Sequence, residues 1–145
     1  MSTSATHPLA GRLQLNNLAL AVADLPRGID WYQRVLGFVV EERGHFEPVA
    51  ADFAMLVGAG VRLELVASRR ATLREVDRTP PPRHLQVLGW KALVLQCDDL
   101  AALGEHLRAE GAELLWEAEP LNESLSSTLL RDPEGNLINI FGPRR

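Results

Sequence analysis

The chain has 145 residues, 15 Lys and Arg against 19 Asp and Glu, and a net charge of -4. That length fits one domain or two small modules sharing a core, and the mild acidity argues against a nucleic-acid binder, which usually carries a basic face. The longest apolar run, Leu18 to Ala23, is far short of the roughly 20 residues a membrane helix needs.

Residues 1–12 are small and polar, with no apolar stretch of the kind a signal peptide carries. They read as a flexible tail. The single cysteine, Cys97, excludes an internal disulfide and sits in an apolar strand-like run, where a buried, inert thiol is expected. A cytoplasmic protein is the resulting expectation.

From residue 13 onward the chain repeats itself. A shift of 75 residues lays Leu18–Leu25 on Leu93–Leu100 and Gly60–Leu65 on Gly135–Ile140. Two copies of one unit follow, at 13–68 and 88–143, joined by a linker at 69–87. Each begins with a strand-length apolar run, Leu18, Leu20, Val22 and then Leu93, Leu95, Cys97. An aspartate follows, Asp24 in one copy and Asp98 or Asp99 in the other, able to accept from the free N–H groups of a helix start. Helical spacing comes next: Leu25, Ile29, Tyr32, Leu36, and Leu100, Leu103, Leu107. Gly37 and Gly111 end these helices.

Three strand patterns trail each helix: Phe38–Glu42, Phe53–Val57 and Val61–Val66, then Glu113–Glu117, Ser127–Arg131 and Asn136–Phe141. The Asp132-Pro-Glu-Gly135 turn pairs a preset φ with a glycine that tolerates positive φ. Ser124, Ser126, Ser127 and Thr128 have no neighbouring histidine and read as a loop entering a strand, not a nucleophile site. Each unit is βαβββ, and the fold class is α+β.

The linker carries five arginines, at 69, 70, 74, 78 and 83, and three consecutive prolines. It reads as a solvated, partly extended connector, with a cationic lid over an anionic ligand as the sharper alternative.

Strands send alternate side chains to opposite faces. If the helices cover the greasier faces, the opposite ones present Asn17, Arg62, Glu64, Trp90, Ala92, Asn139 and Phe141. An apolar wall with a few polar groups is the usual make-up of a small-molecule pocket. A pseudo-twofold packing would bring the repeat-equivalent pairs Asn17/Ala92 and Glu64/Asn139 to one centre.

The stretch Asn17–Phe38, with its Tyr32–Phe38 segment, and the closing Asp132–Ile140 resemble the vicinal oxygen chelate superfamily, which includes glyoxalase I, bleomycin-resistance proteins, extradiol dioxygenases and methylmalonyl-CoA epimerase. The resemblance spans about 13–143. It implies two βαβββ modules forming a U-shaped mixed sheet around a cavity, with helices on the outer face, and a homodimer whose modules pair within a chain or across two chains. Family enzymes usually hold a divalent metal with one side chain from each first and last strand. Carried over, those positions are Asn17, Glu64, Ala92 and Asn139. Only Glu64 matches, and Ala92 has no ligating atom, so no metal and no cofactor are expected. His45 and His84, near the cavity mouth, are the candidates for a rebuilt site serving a metal-dependent lyase or dioxygenase.

Two functions follow. One is metal-free binding of a small aromatic or planar molecule, with Trp90, Phe141, Phe46, Met55 or Trp116 for stacking and Asn17 and Asn139 for orientation. The other is a metal-independent lyase, isomerase or cyclase with Glu64 as general base, its pKa raised by burial beside Trp90 and Phe141 unless Arg62 pairs with it. No nucleic-acid or membrane partner is expected.

Overall fold

A computed structural model describes residues 7–72 and 74–145. The chain runs β1 (Leu18–Ala21), α1 (Leu25–Leu36), β2 (Val39–Phe46), β3 (Ala51–Gly58), β4 (Val61–Ser68), β5 (Ala92–Gln96), α2 (Leu100–Ala109), β6 (Glu113–Pro120), β7 (Leu125–Arg131) and β8 (Leu137–Pro143). This is βαβββ twice, the expected α+β architecture.

Local chemistry sets the helix ends. The Asp24 side chain accepts from the Arg27 N–H at 2.9 Å, and Pro26 occupies the first turn of α1. Gly37, at φ 72°, closes the helix, with Gly37 N–H donating to the Gln33 carbonyl and Phe38 N–H to the Tyr32 carbonyl, both at 3.1 Å. For α2 the cap is Asp99, whose Oδ1 accepts from Ala101 and Ala102 N–H at 3.1 Å.

The eight strands form two four-stranded sheets, ordered β1-β4-β3-β2 and β5-β8-β7-β6. Each pairs its first and last strands in parallel, Ala19 opposite Glu64 and Val94 opposite Asn139, and the remaining pairs are antiparallel. In both sheets the greasier face turns inward. Leu63, Leu65, Ile138 and Ile140 are buried with Ile29, Tyr32 and Val35 of α1 and Leu100 and Leu107 of α2 in one contiguous core. Each such side chain contributes roughly 1.5–3 kcal/mol of burial energy.

The halves are also clamped by polar contacts. Tyr32 Oη donates to Asp132 Oδ2 at 2.8 Å, Ala23 N–H donates to Glu134 Oε1 at 2.9 Å, and Arg34 bonds Glu110 Oε2 at 2.6 Å. His106 Nε2 donates to the Val35 carbonyl at 3.0 Å. The family-like closing turn of the second half thus docks onto the helix of the first.

One sequence expectation is corrected. Ser126, expected in a loop entering the strand, already lies within β7, buried like Ser127 and Thr128 of the expected strand. Strand backbone there is compatible with hydroxyls because these have partners: Trp116 Nε1 donates to Ser127 Oγ at 2.9 Å, and Ala118 N–H to Thr128 Oγ1 at 3.0 Å. Cys97 is half-buried rather than enclosed, with its thiol against the Asp99 backbone. The connector is mostly exposed but tethered: Arg78 pairs with Glu113 at 2.6 Å, and buried Arg131 donates to the Arg78 carbonyl at 3.3 Å.

Candidate functional site

The residues singled out from the sequence lie in three places. The first is a cleft of about 740 Å³ between the two halves. Its floor is Leu18, Leu20, Leu63, Leu93, Ile138 and Tyr32, and it takes Asn17, Trp90 and Ala92 from the expected set. Segment 76–91 supplies one wall, with Val76, Asp77, His84 and Lys91. Trp90 sits just before β5 and is 100% exposed, standing at the rim instead of packing inside.

The second place is the open face of the first sheet. Glu64 lies between Ala19 and Met55 in the ladder, and it borders a groove of about 280 Å³ with Phe46, Val49, Ala51, Phe53 and Val66. Its carboxylate accepts from Asn17 Nδ2 at 3.3 Å. Arg62, two residues away on the same face, is held elsewhere: Nε and Nη2 both donate to Glu41 Oε2, at 2.9 and 2.7 Å. Glu64 therefore has an amide neighbour and not a guanidinium. Neither Trp90 nor Phe141 lines that groove.

The third place is the open face of the second sheet. Asn139 is flanked by Val94 and Leu129, and Phe141 by Gln96 and Ser127. The amide oxygen of Asn139 is buried without a hydrogen-bond partner. Such an atom costs roughly 1–3 kcal/mol unless something supplies a donor.

The two histidines sit apart. His45, at the β2–β3 corner, contacts Asp52 at 2.7 Å and Glu47 at 2.6 Å, and these carboxylates raise its pKa, Asp52 foremost. His84 lines the cleft, where its Nδ1 is buried and unpartnered. Among the described residues, no three His, Cys, Asp or Glu side chains are grouped closely enough to hold a metal ion.

Sequence reasoning passed over Lys91, Asp77 and Asn136 as cleft-lining polar groups. One signal was available: Lys91 is the chain's only lysine, and it directly follows Trp90.

A family model described as the Glyoxalase/Bleomycin resistance protein/Dioxygenase superfamily matches residues 14–140. The chain belongs to this superfamily. No curated protein sequence matches it. Among solved structures of the glyoxalase type, a glyoxalase family protein from Bacillus cereus is similar at 23% identity and a TM-score of 0.75, covering 97% of this chain and 99% of that one. The trypanothione-dependent glyoxalase I of Leishmania major is similar at 18% identity and TM-score 0.71, covering 90% and 86%. A genomically encoded fosfomycin resistance protein from Listeria monocytogenes, solved as a variant with Mn(II) and a dihydroxypropylphosphonic acid, is similar at 15% and 0.66, covering 88% and 90%. At these identities the likeness is one of fold. No helix among the described residues is long and apolar enough to cross a membrane.

Proposed function

We propose that this glyoxalase-superfamily chain binds a small, flat organic molecule in the cleft between its halves, without a metal ion. The observation that carries this reading is the donor set. Of the four family metal positions, Ala92 offers only a methyl group, Glu64 is the one carboxylate and already accepts from Asn17, and Asn139 is a neutral amide. One carboxylate and two amides do not suit a divalent transition ion, which favours imidazole, thiolate and carboxylate. The cleft itself has the make-up of a ligand pocket, apolar floor and few polar groups.

A metal-independent lyase, isomerase or cyclase is the second reading. It is favoured by Arg62 being drawn to Glu41, which leaves the Glu64 carboxylate free of a cationic partner. Glu64 would then act as general base. The partner for either reading is a second copy of the chain. Leu88 and Trp90, 96% and 100% exposed at the cleft rim, are the surface it would cover.

The test is calorimetric titration of chelator-treated protein with a panel of flat aromatic molecules. Binding that survives metal removal is expected. Binding that appears only after one equivalent of a divalent ion is restored overturns the reading.

A further inference from the structure

The cleft wall contributed by segment 76–91 holds two polar groups without a direct partner among the described residues. His84 Nδ1 is buried and has no hydrogen-bond partner. Lys91 is half-buried, and no carboxylate lies within 4 Å of its ammonium among the described residues. Both line the same cavity.

The other charged groups nearby are already committed. Asp77 turns its Oδ1 into its own turn, accepting from the Thr79 N–H at 3.0 Å and the Thr79 hydroxyl at 2.7 Å. Arg131 is buried and spends its guanidinium on the Gly135 and Arg78 carbonyls at 2.8 and 3.3 Å. Among the described residues Lys91 is the one Lys or Arg that lines the cleft; its charge helps, after the Thr79 contacts, to lower the pKa of Asp77 on the same wall, but the two form no salt bridge. Below Lys91 lie Leu18, Leu93 and Ile138, an apolar bed that reaches down to Tyr32.

We propose that the cleft takes an amphipathic acid, a flat apolar body bearing one carboxylate, with the carboxylate received by Lys91 and His84. This rests on the cleft being the ligand site. An ammonium beside a low-dielectric wall attracts a carboxylate far more than it would in water, and a charge-assisted hydrogen bond is about twice as strong as a neutral one. With its proton on Nδ1, the His84 ring donates to the second carboxylate oxygen, which meets the orphaned group. The apolar body covers the leucine and isoleucine floor. A neutral amide of the same shape would fill the floor and offer its one carbonyl oxygen as an acceptor, but without the charge or the second oxygen.

The experiment compares naphthoate with the neutral naphthamide by titration calorimetry on the full chain. A hydrogen bond to a charged group is worth about 1.5–3 kcal/mol, so naphthoate should bind roughly tenfold or more tightly than naphthamide. Lys91→Gln should bring the two within about threefold, by lowering naphthoate affinity much more than naphthamide affinity.

A second measurement needs no variant. The lone lysine makes reductive methylation followed by mass spectrometry a site-specific reporter, and naphthoate should slow methylation of Lys91 but not of the α-amino group. Equal affinity for acid and amide, or a preference that persists in Lys91→Gln, overturns the proposal while leaving the cleft as a binding site. If neither probe binds and Lys91 is unprotected, the cleft reading falls with it.

Discussion

The phenol of Tyr32, on the helix of the first half, donates to the carboxylate of Asp132, on the closing turn of the second, at 2.8 Å. Both are buried, at 1% and 3% exposure. Asp132 also accepts from the backbone N–H groups of Glu134 and Asn136 and from the Asn136 amide. Burial, and then the charge of Asp132, holds the Tyr32 phenol well above its ordinary pKa, so it stays a donor. Tyr32→Phe should cost about 1–3 kcal/mol, since it leaves a buried carboxylate one donor short. Asp132→Ala should cost more, because three donors beside the phenol lose their acceptor. Urea denaturation of each variant measures this, and a neutral Tyr32→Phe would show that the contact does not clamp the halves.

The His45 ring is fixed between Asp52 and Glu47, whose carboxylates raise its pKa. A group whose folded pKa is raised stabilises fully below its unfolded value, near 6.5, and that contribution disappears as pH rises through the folded value. The stability difference between the wild type and His45→Gln should therefore be largest in mild acid and shrink toward pH 8. Parallel pH series of denaturation midpoints check the sign.

Asp99 behaves in the opposite direction. Its pKa is lowered chiefly by the Ala102 N–H it accepts from, with help from Arg145 and Ala101. Its contribution is present above the ordinary carboxylate pKa and lost as pH falls through the lower folded value. Asp99→Ala should lower the denaturation midpoint at pH 7 and matter little near pH 2. Circular dichroism at both pH values follows the change.

Two glycines should answer substitution differently. A Cβ on Gly58 would lie 2.7 Å from the ring of Phe38, which is itself buried and unable to yield. Gly58→Ala should destabilise by about 1–3 kcal/mol through overpacking. A Cβ on Gly104 would instead meet the side chain of Glu117, which can swing away from its Arg108 partner. There the gain of up to about 1 kcal/mol in helix propensity should offset most of the lost contact. Thermal denaturation of the pair distinguishes an immovable neighbour from a movable one.

Glu64 and Trp90 separate the functional readings. For binding alone, Glu64→Gln leaves affinity nearly unchanged and there is no turnover to lose. For a metal-independent enzyme, it should abolish turnover at nearly constant affinity. Trp90→Asp should weaken ligand affinity and shift the chain toward monomer in sedimentation, because it puts a charge on the exposed rim. A dimer that withstands Trp90→Asp places its interface elsewhere.

Much of the fold was legible because it is local. Asp24, Pro26 and Gly37 mark one helix by themselves, and alternation alone separated Leu63 and Leu65 from Glu64. The site was less legible because it depends on which edges meet. Trp90 lies before β5 begins, where alternation no longer governs direction, so it stands in solvent. The repeat correctly paired Glu64 with Asn139 by position, but these side chains lie on separate sheets and neither borders the cleft. The strand expected from Ser127 begins two residues earlier, at Leu125, and the partners of its hydroxyls, Trp116 and Ala118, sit on a different strand that the local pattern does not reveal.

Among the described residues, no ladder of backbone bonds joins the two sheets. A shared core and a few clamps, each with a side chain on at least one side, hold one half against the other. Such a seam adjusts by sliding, as backbone pairing cannot, so its width is a quantity that selection can tune one side chain at a time. Descendants of this architecture could thus change the size of molecule they admit while every strand keeps its register.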